Sequence, residues 1–479
     1  MGTASFEFLL FSLGVIVVFN LRGAVWWRQL VLLGASLTFL AYFSANVLQW
    51  IPFAGFMAFG FASLRLLQDG RGRAVFVPIV LACIAAFVWL KKYAFIPSSL
   101  LLQHPYVTIG LSYIFFRVMH LLIDARSGQI AQRVSLVSYL TYTLNFTTLL
   151  SGPIQTYQEF AAYQLAPERL RLDIFDAGRA IERIVLGFFK VNVLSLALSM
   201  AQAQALTALQ PSMAIEARVL SGLAVIGLYP LYLYCNFSGY IDIVIGIARF
   251  LRIELPENFN RPFCAGNFMN FWSRWHITLS EWLKTYVYNP LLIASMRRFQ
   301  EARVAPYLAV FAIFVTFFLV GLWHGQTAEF LFFGVLQGGG VAGVQLYQTA
   351  MVRWLGKKKY RALTANPLYG ACARGLTFAW FSFTLLWFWS NWTQIGLIAS
   401  TLGTDAGLAV AITLFVGATV VLALWESVRT FVFADAAEAG CLRGSRYARI
   451  AFGTALTVIA VATVTLVNAP APDLVYKAF

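Results

Sequence analysis

An all-α, polytopic membrane fold is what this sequence predicts, and three observations carry the prediction. Of 479 residues, 60% are hydrophobic and only 11% are charged, where a soluble domain has roughly 25% charged residues. Apolar runs recur along the chain, many of them near the 20 or so residues that a helix needs to cross about 30 Å of hydrocarbon. The weak alternating pattern of a membrane β-barrel is missing from the sequence. Roughly 11 transmembrane or re-entrant helices are therefore expected, in a single membrane-embedded domain over residues 1–479.

The net charge of +15 is spread over short loops between apolar runs. Such a distribution fits positive-inside topology and argues against nucleic acid as a partner. Cys83, Cys235, Cys264, Cys372 and Cys441 lie far apart with no C-x-x-C pair, which suggests neither a disulfide framework nor a metal site. Met1 to Asn20 is apolar, without a basic leader or a clear cleavage site, and reads as a retained first helix.

In chain order, spans are expected at Phe6 to Leu21, Gln29 to Ala45, Ile51 to Leu67 and Ala74 to Leu90. The loop Gln68 to Arg73, with Arg71 and Arg73, suggests a cytoplasmic face, but Lys91 and Lys92 then fall on the opposite side. Tyr106 to Ile130 sets Arg117, His120, Asp124 and Arg126 in a helical register. His120 and Asp124 are i and i+4 and share a face, as either a structural ion pair or a catalytic dyad. Val134 to Ser151 is another apolar run, ended by Gly152 and Pro153.

The longest polar stretch, Gln164 to Arg183, repeats apolar residues at Leu170, Ile174, Ala177, Ile181 and Ile184. That stripe suggests an amphipathic helix at the interface. Spans at Ile184 to Ala203 and Ala217 to Tyr234 lead to Asn236–Asp242 and a further span to Phe250. Leu255 to Phe263 carries two prolines and two asparagines, so it belongs at a water interface or against protein, not in lipid as a helix.

Phe271 to Gly325 holds two of the four histidines, and an ionisable group in an apolar chain is by default a candidate for function. It opens on Phe-Trp-Ser-Arg-Trp-His-Ile-Thr-Leu-Ser and closes on Gly-Leu-Trp-His-Gly. With Gly-Leu-Ser-Tyr at 110–113, Ser-Gly-Pro-Ile at 151–154, Asn-Phe-Ser-Gly-Tyr at 236–240 and Pro-Glu-Asn-Phe-Asn-Arg-Pro-Phe at 256–263, these boxes resemble the bacterial branch of the membrane-bound O-acyltransferases. The motif-bearing core covers about residues 107–340; the peripheral helices, 1–96 and 375–467, agree in hydropathy alone. Alginate O-acetyltransferases and teichoic-acid D-alanyl transferases are both similar, so the resemblance leaves acetyl and D-alanyl open. One departure is Asn236, where many members have Asp.

Moving an acyl group from a thioester to a hydroxyl needs a base at the hydroxyl proton, and a neutral imidazole is suited to that near pH 7. His324 is the expected base, since burial disfavours the charged form of a histidine. Gly321 and Gly325 allow close approach of backbone and ligand, and Trp323 can wall the site against water. The resemblance implies a second active-site histidine, His276, which lies near Trp272, Trp275 and Trp282 in what reads as an interfacial helix. Trp275, Asn258, Asn260, Ser280 and Tyr240 are further candidate liners. No nucleophile elbow, H-E-x-x-H helix, P-loop or dinucleotide glycine pattern occurs in the sequence, so direct transfer without a bound cofactor or metal is expected.

By resemblance, the acyl thioester, on coenzyme A or a carrier protein, arrives from the cytoplasm. The resemblance also implies a central tunnel leading it to an extracytoplasmic glycan or partner acyltransferase, and a multi-pass location in the bacterial cytoplasmic membrane. The loop that holds Arg353, Lys357, Lys358, Lys359 and Arg361 is the densest basic cluster, shaped either by topology alone or for docking an acidic carrier or coenzyme A phosphates. A transporter or flippase for a polysaccharide intermediate is the competing class.

Overall fold

The computed structural model describes residues 4–433, apart from 45, 71–73, 131, 169–170 and 302, together with 446–467 and 472. Arg71, Arg73, Arg169, Leu170 and Cys441 lie outside the described residues. The protein is an all-α, polytopic membrane protein. Among the described residues, eight helices are long and apolar enough to cross a membrane, and Phe6–Asn20, Val25–Ala41 and Phe76–Leu90 are shorter apolar helices. Among the described residues, the only sheet-like pairing is one isolated bridge, Phe259 with Trp275. The chain divides into two compact units.

The first unit comprises the described residues of Met1–Phe188 and Phe237–Pro256. At its centre is the helix Leu111–Ser127, framed by left-handed glycines at 110 and 128 and packed against Ile51–Gln68 and Phe76–Leu90. The apolar run after Val134 is not one span. Helix Leu136–Thr143 is followed by irregular chain at 144–156, of which 144–155 are all buried. Arg117 explains how this is tolerated. Its guanidinium donates to the carbonyls of Tyr142 (3.1 Å), Thr143 (2.7 Å) and Thr148 (2.8 Å) and to Thr148 Oγ1 (2.5 Å), satisfying acceptors that a helix end releases.

The polar stretch likewise differs from a single interfacial helix. Tyr157–Gln164 is a short helix held by a capping box of Thr156 and Glu159. A new helix starts at Ile174, where Asp173 Oδ1 accepts the Asp176 N–H at 2.7 Å. It continues through a π-helical turn at Lys190–Ser195 to Ala208. The expected break at Asn236–Asp242 is absent too, because Ile215–Phe250 is one helix with Pro230 inside it.

The second unit comprises Phe189–Asn236 and Glu257–Pro472. Helix Ala305–His324 turns at Gly325–Thr327 into Ala328–Thr364, so the two are antiparallel neighbours. They touch through glycines: a Cβ on Gly321 would collide with the Gly334 backbone and with the Phe330 carbonyl. Small residues at such a contact let backbones approach closely in a membrane. Helix Pro367–Thr384 packs against Trp392–Phe433, and the single turn Leu386–Trp389 against Ala328–Thr364.

Candidate active site

All of the sequence-predicted site residues except Tyr240 belong to the second unit. Tyr240 is in the first, fully buried and within electrostatic range of Arg117.

The Leu255–Phe263 loop and the Phe271–Trp282 box are not separate features. Asn258 O accepts from Ile277 N (3.0 Å), Asn260 N donates to Arg274 O (2.9 Å), and Phe259 bridges to Trp275 between them. This pairing corrects the reading of a continuous interfacial helix. Phe268–Trp272 ends in a turn, His276 takes a left-handed conformation (φ 46°, ψ 53°), and a new short helix, Ile277–Leu283, begins after it. Its side chain is wholly buried, not at a headgroup surface. Left-handed backbone costs a non-glycine residue of order 1–3 kcal/mol and gathers at functional sites. Here the paired loop sustains it.

Trp275 anchors the junction. Its ring packs on Phe259 (5.1 Å between centroids), Phe271 (5.5 Å) and Phe381 (5.1 Å). Trp272 Nε1 donates to Gln337 Oε1 at 3.2 Å, and Gln337 Nε2 donates to Thr384 Oγ1 at 2.8 Å. That buried chain of hydrogen bonds ties the box to two long helices.

His324 is the last residue of Ala305–His324 and is buried. Phe388 (5.1 Å) and Phe333 (5.9 Å) stand against its ring. Trp323 is in ring contact with both histidines, 4.7 Å from His324 and 6.2 Å from His276 by ring centroids. Gly325 is required by space, because the Phe330 ring occupies the place of a Cβ.

Burial pushes His276 down to about 3, so it is neutral at physiological pH. Asn258 Oδ1 lies 3.3 Å from His276 Nδ1 and accepts the Thr278 N–H (3.1 Å) and hydroxyl (2.9 Å). Asn258 Nδ2 and Ser280 Oγ are buried and have no hydrogen-bond partner among the described residues. The site is thus two imidazoles inside an aromatic shell, with unused polar atoms beside one of them. Asn260, by contrast, joins by its backbone alone, and its side chain is exposed.

Lys357, Lys358 and Lys359 are not on a loop: they start a helical segment after a break at Gly356 (φ 80°, ψ 154°). All three are exposed. Arg353 Nη1 donates to Tyr307 Oη at 3.5 Å, so this cluster and the Arg303 end of Ala305–His324 lie together. Arg297 and Arg298 form the last turn of Asn289–Arg298.

His120 is a structural residue. Its Nε2 accepts the Tyr157 N–H at 2.9 Å, which leaves Nδ1 to face Asp124 at 3.5 Å. The lone pair that a base would need is spent on the start of helix Tyr157–Gln164. Phe333, Phe388 and Gln337 escaped the sequence reading, since they come from helices outside the histidine boxes. The two phenylalanines offered only apolar periodicity, and Gln337 only a lone amide in an apolar run.

Fold and site define a polytopic membrane protein with a buried pair of histidines. The sequence model of the membrane-bound O-acyltransferase family matches residues 103–386, and the chain belongs to that family of acyltransferases. The match extends past the motif-bearing stretch into Leu386–Trp389. The teichoic acid D-alanyltransferase of Bacillus subtilis (strain 168) is 27% identical over 321 residues, 66% of this chain and 78% of that one. The probable alginate O-acetylase AlgI of Pseudomonas aeruginosa is 30% identical over 329 residues, 65% of this chain and 60% of that one. The peptidoglycan O-acetyltransferase of Helicobacter pylori is 43% identical over 110 residues, 23% of this chain and 19% of that one.

Proposed function

We propose that this protein moves an acyl group, acetyl or D-alanyl, from a cytoplasmic thioester to a hydroxyl of an extracytoplasmic cell-envelope polysaccharide or partner protein, in the bacterial cytoplasmic membrane. The observation that supports it is the buried His324–Trp323–His276 arrangement in a chain whose relatives are named for D-alanyl and O-acetyl transfer. His324 accepts the proton of the acceptor hydroxyl as its oxygen attacks the thioester carbonyl carbon. The new C–O bond forms, the C–S bond breaks, and the proton passes to the departing thiolate sulfur, so no oxidant or metal enters the balance. Trp323 and Trp275 keep water from competing with the acceptor. The donor is coenzyme A or an acyl carrier protein, docked at Lys357, Lys358 and Lys359.

The test uses proteoliposomes supplied with acyl donor and glycan acceptor. His324→Ala is expected to insert normally and lose transfer by at least 100-fold, the usual scale of a general base. Normal transfer by the inserted variant would overturn the assignment. Mass spectrometry of the host's envelope polymers, with and without the protein, names acyl group and acceptor by the mass that changes.

A further inference from the structure

The environment of Asn258 carries more than a lining role. Its side-chain oxygen is identified by chemistry: the Thr278 backbone N–H can only donate, so the atom it meets at 3.1 Å is the carbonyl oxygen, and the Thr278 hydroxyl at 2.9 Å joins it. The same oxygen stands 3.3 Å from His276 Nδ1. A carbonyl oxygen only accepts, so Nδ1 must carry the hydrogen, and the basic lone pair of His276 is at Nε2. The amide nitrogen of Asn258 is then a donor held in a fully buried position, with no partner among the described residues. Leaving such a group unpaired in a buried position is unfavourable. A bound substrate oxygen would remove that cost.

We propose that Asn258 is the positioning residue of the site: its oxygen fixes His276 as the Nδ1–H tautomer, and its amide nitrogen donates to an oxygen of the substrate. The substrate half rests on the acyl-transfer reading above, and the tautomer half stands without it. The carbonyl oxygen of the thioester, which gains negative charge on attack, is the oxygen that a preorganised amide donor stabilises most. The charged or titratable groups nearest His276 in this paired loop are, by chain position, Glu257 next to Asn258 and Arg274 two residues before His276, and His324 shares the Trp323 ring contact with it.

The experiment is nitrogen-15 NMR of histidine-labelled protein in detergent, with His276 assigned by the loss of its signals in His276→Gln. His276 is expected to be neutral and protonated at Nδ1 at pH 7, and to shift toward the other tautomer in Asn258→Ala. Protonation at Nε2 in the unsubstituted protein would overturn the proposal whatever the activity. Asn258→Asp retains an oxygen for Thr278, so it keeps the loop held where Ala loosens it, and it sets a carboxylate against Nδ1–H. His276 should then protonate at higher pH, and the acid limb of transfer should move up by at least one pH unit, with a tenfold or greater loss of kcat from the missing amide donor. An equal, pH-independent loss in both variants would mean that Asn258 only supports the fold. Failure of the acyl-transfer reading shows instead as no transfer by the unsubstituted protein, with the tautomer result intact.

Discussion

At the level of single residues, the two histidines have different surroundings although their sequence boxes look alike. His276 is held neutral by burial, about 3 against 6.5 in the unfolded chain. An unfolded chain therefore binds the extra proton between those values, and the folded one does not. The stability tied to neutral His276 is full above about pH 6.5 and declines as pH falls toward 3, by about 1.4 kcal/mol for each pH unit. Melting in detergent should accordingly fall from pH 7 to pH 5, and His276→Gln should flatten that slope. A slope unchanged in the variant would mean that other groups cause it. Both histidines were legible from their tryptophan- and glycine-bearing boxes. The tautomer of His276 was not, because it is set by Asn258, 18 residues away along the chain. His120 shows the converse, since its spacing to Asp124 was legible while its bond to the Tyr157 amide was not.

Helices and loops were legible in kind more than in extent. Hydropathy located the long spans, but it read a helix across 144–151 and a break across 236–242, where the structure has the opposite. The first error came from Arg117, whose five donors make a buried irregular segment affordable. In the second, Ser238 and Gly239 read as turn formers although the helix carries them through. The pairing of Ala305–His324 with Ala328–Thr364 yields a direct expectation. Gly321→Ala forces the two backbones apart at Gly334, so the protein should lose roughly 1–3 kcal/mol, the usual range for overpacking, and transfer should fall because His324 is three residues further on. Gly339→Ala on the second helix meets nothing within 4 Å and should not lower the melting temperature, since alanine is the better helix former. Equal behaviour of the two variants would remove the contact from the account.

For the chain as a whole, the class was fully legible, because composition alone forbids a soluble fold. The family was legible from dispersed boxes in the right order. Lys91 confused the orientation: it is buried and pushed down to about 8, so it does not belong among the exposed loop charges that topology counts. The turn at Gly325–Thr327 sets Arg303 and Lys357 at one end of their helix pair and His324 at the other. Along Ala305–His324 that separation is about 28 Å. A thioester docked at the basic end must extend over much of that length. Acyl groups on coenzyme A or a carrier protein should therefore be transferred, while the same acyl group on a short thiol such as N-acetylcysteamine should react far more slowly. Lys357→Glu, Lys358→Glu and Lys359→Glu together should cut carrier-dependent transfer and leave insertion unaltered; equal rates would dispose of docking there.

The left-handed backbone at His276 decides how its ring should be removed. Alanine there would keep the strain and lose the bond to Asn258 that offsets it, whereas glycine adopts φ 46° without penalty. His276→Gly therefore leaves an imidazole-shaped hole in an otherwise relaxed turn. Free imidazole added from solution can fill that hole, so a lost activity becomes a dose-dependent one.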